Sequence, residues 1–379
     1  MADYSNSFKD FDGNIWLNCA HQGPMPKATV EELNEALEWK LSPYHLTSDR
    51  FREVPSKMKS AIGKLINIPP EEIILTNGAS YGIHLLANGI PWKSGDEVLL
   101  MQGDFPSDIL PWLALKKKGV TIRFIEPKEH VLSAEELIEN ISPSSKLLCI
   151  TWVHSLSGYT IDIAKLGEIC KEKGIIFVVN ASQALGVRAL NISNIHIDAL
   201  VSVGFKWLCG PYGTGFCWIR SEILESLEYN QAYWLAMMTA DDLGKKQDIL
   251  EFPQNLGAKK YDIFCTANFF NFKPWQASVK FLLEIGIEAI EKHNNLLISQ
   301  FIEGLDNTKY DLISANEGKR RSSLIFISHI QPEINENVYD ILKKNNIHIS
   351  FRGGRLRISP HLYNTIKEIE ITLDLLNSI

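Results

Sequence analysis

Residues 163–183, IAKLGEICKEKGIIFVVNASQ, carry the reading on which the fold turns. The first half is amphipathic at helical spacing, whereas IIFVVN is an unbroken apolar, β-branched run that predicts a strand. A strand covered on both faces shows no alternation, so this one belongs in the middle of a mostly parallel sheet. It stops on an amide, Asn180, at the carboxyl end of the strand, where open α/β sheets bind ligands. An asparagine is also an ordinary cap or turn residue, and the run by itself leaves both uses open.

The same texture extends outward from this stretch. Between about 55 and 220 short apolar runs (EIILT at 72–76, EVLLMQ at 97–102, TIRFIE, KLLCITWV, ALVSVG, GFCWIR) alternate with helical stretches such as SYGIHLLANGI and PSDILPWLALKKKG. Strands alternating with helices imply βαβ units. Beyond about 270 one long helical stretch to GL at 304–305 precedes SLIFIS, a helix over about 332–345, HISFRGG, LRISP and a closing helix from about 364. The expectation is an α/β protein with a large domain over 20–275 and a smaller α+β domain over 276–379. Residues 1–19 form an N-terminal segment packed near the smaller domain.

Composition narrows the function classes. A chain of 379 residues with 45% hydrophobic and 22% charged residues buries a large core. Its formal charge of −7, with no basic run longer than KKK at 116–118, argues against a nucleic-acid partner. The start lacks a signal or transit pattern and no stretch approaches a membrane span, so a cytoplasmic protein without a membrane partner is expected. Cys19, Cys149, Cys170, Cys209, Cys217 and Cys265 show no paired spacing; buried thiols are expected, with neither a disulfide framework nor a metal site.

Chemistry enters at SVGFKWLCGPYGTGF, 202–216, where Lys206 is the single side chain ordinarily charged at neutral pH among apolar, aromatic and glycine residues. A desolvated amine has a lowered pKa and suits Schiff-base formation, although a lone lysine also snorkels from a loop. TNGASYG, 76–82, follows a strand and opens a helix with small residues, which lets backbone N–H groups approach an anion. The same letters also make an ordinary cap. In GDFPSDILPW, 103–112, Phe105 falls at the same sheet edge, as a core ring or as a flat surface for a planar ligand.

The ordered set TNGAS, DFPS, VVNASQ, GFKWLCGPYGTG, CTAN and FRGGRLRISPHLYNT resembles the class V aminotransferase family of fold-type I pyridoxal-phosphate enzymes. The branch it resembles most contains isopenicillin N epimerase-like proteins, cysteine desulfurases and kynureninase. The resemblance implies pyridoxal 5'-phosphate as cofactor, joined to Lys206, with Gly78, Ala79 and Ser80 on its phosphate and Phe105 stacked on its ring. Gln183, with Ser155, would face the phenolic oxygen, and Asn180 would face the ring nitrogen. Thr266 matches a position that reaches a phosphate across a homodimer interface, so shared active sites are implied. Arg357 matches the carboxylate-binding arginine, with Arg352 as a second candidate; an amino acid is the implied substrate. His21, in CAHQGP, and His154, in WVHSLSG, are candidate acids or bases.

The departures concern the same residues. Relatives usually carry an aspartate at position 180, whose charge keeps the ring nitrogen protonated and the ring a strong electron sink. A neutral hydrogen bond contributes roughly 0.5–1.5 kcal/mol against about 1.5–3 for a charged one. A loss of about 2 kcal/mol in the transition state slows a reaction roughly 30-fold. Val203 and Phe205 replace polar residues of the family, Cys265 stands where glycine is usual, and 352–361 lacks the cysteine that desulfurases carry there. Epimerisation or β-elimination is therefore expected ahead of transamination, and a weakened pseudoenzyme or dimeric scaffold is the alternative.

Overall fold

The computed structural model describes residues 3–228, 233–238, 240–245 and 256–379. Near the N-terminus lies the short strand β1 (Ile15–Trp16). It is followed by β2 (Ile73–Thr76), β3 (Glu97–Met101), β4 (Thr121–Ile125), β5 (Ser145–Thr151), β6 (Ile176–Asn180), β7 (Ala199–Val203) and β8 (Gly215–Ile219). The last seven form one sheet in the order β2-β8-β7-β6-β5-β3-β4. β8 runs antiparallel between β2 and β7, and the remaining pairs are parallel. The chain thus folds as an α/β protein of the expected fold-type I architecture, with the carboxyl ends of β2, β5, β6 and β7 on one edge.

β6 explains its own lack of alternation. Phe177 and Val179 enter one hydrophobic cluster and Val178 enters the cluster on the opposite face, so both faces are dry. β4 lies at the sheet edge and is mostly exposed, including Phe124, with Arg123 as its one charged residue. Two helices flanking the sheet, Lys27–Leu41 and Ser48–Ile66, pack on Phe272–Ile285. The long helical stretch expected over the C-terminal third divides at Gly286, whose φ of 91° no α-helix accepts, into Phe272–Ile285 and Ile287–Gly304.

A second, antiparallel sheet has the order β12-β13-β10-β9 and contains β9 (Tyr310–Leu312), β10 (Ile325–His329), β12 (Ser350–Arg352) and β13 (Arg355–Ile358). Gly353 and Gly354, with φ of 56° and 75°, form the two-residue turn between β12 and β13. That turn fixes the register Ser350↔Arg357, which aims Arg357 inward. β1 pairs in parallel with β11 (Ile347–His348). From there residues 17–23 run to the first sheet: Cys19 N–H donates to Ser359 O at 3.0 Å and Gly23 N–H to Phe205 O at 2.9 Å. No helix among the described residues is long and apolar enough to cross a membrane.

The helix Ala79–Gly89 lies on β7 and β8 through Gly82, where an added Cβ would sit 2.7 Å from both Cys217 Cβ and Val201 Cγ1. Replacing a helical glycine by alanine ordinarily gains up to about 1 kcal/mol. Gly82→Ala should instead lose about 1–3 kcal/mol through overpacking. Urea unfolding measures the sign directly; a gain in stability would show that the helix lifts off the sheet without cost.

Candidate active site

Lys206 lies in the loop between β7 and β8. Gly204 and Gly210 let that loop close over Trp275, since a Cβ on either would fall 2.5 or 2.2 Å from the indole. Gly23 presses on the loop from the other side, and a Cβ there would overlap the Lys206 carbonyl at 2.0 Å. The side chain so positioned is half-buried and has no carboxylate within ion-pair distance among the described residues. Its Nζ stands 5.5 Å from the centroid of the Phe105 ring. Burial, then the nearby Arg357, lower its pKa to about 8, with Asp108 acting in the opposite direction.

Positive charge accumulates around this amine. Arg357 is 4% exposed, donates through Nη2 to Ser350 Oγ at 3.1 Å, and leaves Nε without a partner. Burial, then Arg352, pulls its pKa to about 10. His21 is lowered by burial and by Arg352, Arg357 and Lys206, so its imidazole is neutral at pH 7. An unpaired buried guanidinium beside an amine is a receptor for a carboxylate.

The other predicted residues arrange around the same edge. Phe105 begins the helix Pro106–Leu113 and keeps 43% of its surface exposed, so it is a presented ring and not a core residue. Gly78 precedes the helix Ala79–Gly89 with no side-chain cap, which leaves first-turn N–H groups, including that of Ser80, to an external acceptor. Nothing fills the space over the Gly78 Cα. The buried Ser155 Oγ lacks a partner. Gln183 Nε2 donates to Ala20 O at 3.1 Å and its Oε1 accepts from Trp207 Nε1 at 2.8 Å, leaving one amide hydrogen.

Two candidates are placed differently. His154 has both ring nitrogens engaged, with Ser157 Oγ at 2.8 Å and Gly103 O at 3.0 Å, and so serves as a strut of the β5 end. Thr266 donates to Ile263 O at 2.9 Å and lines a cavity of about 730 Å³ with Phe51, Pro55, Lys59 and Trp234. Its loop is anchored by Asp262, which accepts from Leu75 N–H at 2.8 Å and pairs with Lys59 at 2.7 Å. Cys265 adopts φ 57°, a conformation natural to glycine.

Three groups were not legible beforehand. Asp108, buried in the first turn of its helix, accepts from Asn180 Nδ2 at 2.7 Å. Asp104, also buried, accepts from Thr151 N–H at 3.0 Å and Phe105 N–H at 2.7 Å and so holds the start of that helix on β5. The sulfurs of Cys19 and Cys209, both free thiols, and a His361 nitrogen lie within 4.8 Å of one another, fully buried. Sequence spacing misses them because they are joined by contacts between segments far apart in the chain, Asn18 beside Ser359 and Gly23 N–H on Phe205 O. Cys19 Sγ lies 3.7 Å from Lys206 O and Cys209 Sγ 3.8 Å from Trp207 O; burial pushes the Cys19 thiol well above its usual range, whereas the neighbouring Cys19 pulls Cys209 down. His361 Nε2, 3.0 Å from Trp207 O, ties the group to the Lys206 loop.

With this geometry in view, comparisons with known proteins were made. The model of the family described as aminotransferase class-V matches residues 20–371. A probable cysteine desulfurase of Methanothermobacter thermautotrophicus is 25% identical over 97% of this chain and 94% of its own. One from Pyrococcus abyssi is 25% identical over 93% and 91%. Among solved structures, the cystine C-S lyase C-DES in complex with its reaction product cysteine persulfide gives a TM-score of 0.86 at 17% identity, covering 97% of this chain and 99% of that one. The apo cysteine desulfurase of Thermococcus onnurineus NA1 gives 0.85 at 23% identity over 100% and 99%. At these identities the structures establish the fold.

The depressed amine makes a direct prediction. Trapping of Lys206 by a small aldehyde and cyanoborohydride, followed by peptide mapping, should rise with pH through a midpoint near 8. Solvent lysines titrate at about 10.4. A midpoint for Lys206 coincident with theirs would remove the desolvated amine.

Proposed function

Because the chain belongs to the class-V aminotransferase family, we propose that it is a pyridoxal-phosphate enzyme that eliminates the β-sulfur substituent of a cysteine- or cystine-like amino acid. The observation that carries this reading is Lys206: a depressed amine, set between the open face of Phe105 and an uncompensated Arg357. Pyridoxal 5'-phosphate is the cofactor. The unmet bonds fit it: open N–H groups after Gly78 for a phosphate, an orphan hydroxyl on Ser155 for the phenolic oxygen, and an aromatic ring for the pyridine face.

When bound, this cofactor draws electrons away from the substrate α-carbon and so acidifies its C–H bond. The chain supplies the rest. Gly78, Ala79 and Ser80 hold the phosphate, Phe105 covers one ring face, and Ser155 and the free Gln183 hydrogen orient the phenolic oxygen. Asn180 addresses the ring nitrogen. Arg357, seconded by Arg352, takes the substrate carboxylate and thereby sets the α-hydrogen toward Lys206. The Lys206 amine, unprotonated in a large share of molecules near pH 8, accepts that proton and returns it to the leaving group. Thr266 serves the phosphate of a second subunit in a homodimer. Its loop, pinned to β2 through Asp262, supports that placement.

The fate of sulfur follows from the thiols. Five of the six cysteines are buried, and the exposed one, Cys265, lies in the Thr266 loop. Segment 352–361 has no cysteine beside Arg357 to receive sulfur. Sulfur therefore leaves as a small thiol, sulfide or persulfide product, and the similarity to probable cysteine desulfurases supports a cysteine-like substrate. Epimerisation is the second reading; His21, neutral and close to Lys206 electrostatically, favours it as the second acid or base that inversion requires.

The purified protein should take up pyridoxal phosphate and turn yellow, with borohydride fixing the cofactor to the peptide of Lys206. Cystine or cysteine should yield a keto acid, ammonia and reduced sulfur. Recovery of inverted amino acid without keto acid would instead establish the epimerase. Arg357→Gln should lower kcat/KM about 10- to 160-fold, as removal of a charged hydrogen bond of about 1.5–3 kcal/mol requires; an unchanged kcat/KM would remove Arg357 from the substrate.

A further inference from the structure

Asn180 is half of a pair. Its Nδ2 donates to Asp108 Oδ1 at 2.7 Å and its Oδ1 accepts from Ser182 N–H at 3.0 Å. These partners fix the orientation of the amide, because the carboxyl needs a donor and the N–H an acceptor. One Nδ2 hydrogen and one Oδ1 lone pair remain for a ligand. Asp108 is 1% exposed, and its Oδ2 has no partner. Cys149 and Asp104 are its further titratable neighbours, and Lys206 is the cation that acts on it. A carboxyl buried with one hydrogen bond and an orphan oxygen lacks a counter-charge.

We propose that Asp108 is the acid of this active site, setting the charge on the cofactor ring nitrogen through Asn180, which serves as an amide bridge between them. The inference rests on the cofactor reading above and deepens it. The charge that relatives carry at the end of the strand stands here one hydrogen bond further away, on the helix Pro106–Leu113. Asp108 acts through another side chain and is a positioning residue.

The protonation is balanced. Burial first, and Asp104 second, push the Asp108 carboxyl well above the usual carboxylate range, so it holds a proton until a cation is near. As the ring enters, the Asp108 O–H bond breaks and an N–H bond forms on the ring nitrogen lone pair. The net charge of the pair is unchanged, and the proton exchanges through water. Asn180 keeps its own hydrogens; its spare Oδ1 lone pair accepts from the new N–H while Nδ2 goes on donating to Asp108.

The test uses the full chain loaded with pyridoxal phosphate carrying ¹⁵N in the ring. The wild-type nitrogen should resonate as protonated near neutral pH. In Asp108→Asn it should move to the unprotonated position, and α-hydrogen exchange of bound amino acid should slow about 30-fold. The double variant Asp108→Asn with Asn180→Asp, which returns the carboxyl to the strand, should recover both. Asn180→Leu, which keeps Asp108 but removes the bridge, should also give the unprotonated resonance, whether or not Asp108→Asn folds. A protonated ring in Asp108→Asn or in Asn180→Leu, or an unprotonated one in the wild type, overturns the proposal and leaves the cofactor reading standing. A wild type that takes up no pyridoxal phosphate overturns both.

Discussion

An amine and two guanidiniums meet at one sheet edge with no carboxylate in ion-pair reach among the described residues, and much of the structure serves to keep them there. Arg357 is buried without a partner for Nε, and Lys206 loses basicity to burial and to Arg357. Such an arrangement costs stability in the empty protein, because like charges repel and burial removes their solvation. It persists only on a stiff support. Two clusters filling both faces of the seven-stranded sheet supply that support, and Trp275 locks the loop that carries Lys206. Anionic ligands relieve the repulsion, so affinity and strain have a common origin.

The polar contacts around the amine are divided between positioning and reception. Gln183 bridges Ala20 and Trp207, and His361 reaches Trp207 O, so the Lys206 backbone is held from two directions before any ligand arrives. By contrast Ser155, Asp108 and Arg357 keep atoms without partners. Satisfied groups build the frame and unsatisfied groups mark where a ligand belongs, a distinction that burial alone does not make.

Much of this was legible in the sequence. The IIFVVN run announced a doubly covered strand, and Phe177, Val178 and Val179 occupy opposite faces as that reading required. Lys206, Arg357 and Phe105 were found from their letters and their order, and the fold brings them to one edge. What was hidden depended on long-range pairing. Asp108 sits in a helix first turn, where an acid is ordinarily explained by the helix dipole, and no spacing rule links it with Asn180. The break at Gly286 was missed because an isolated glycine in an amphipathic stretch does not reveal its φ. Both ring nitrogens of His154 are engaged, and its letter gives no sign of that.

The path of residues 15–23 bears on when the protein becomes competent. Asn18 Nδ2 reaches Ile349 O, 331 residues later, β1 pairs only with β11, and Gly23 then rests on the Lys206 loop. Contacts between segments so far apart in the chain are the slow ones to form, because a long loop must close before they are rewarded. The wall that Gly23 places on the lysine loop therefore depends on a long-range closure separate from the assembly of the large sheet.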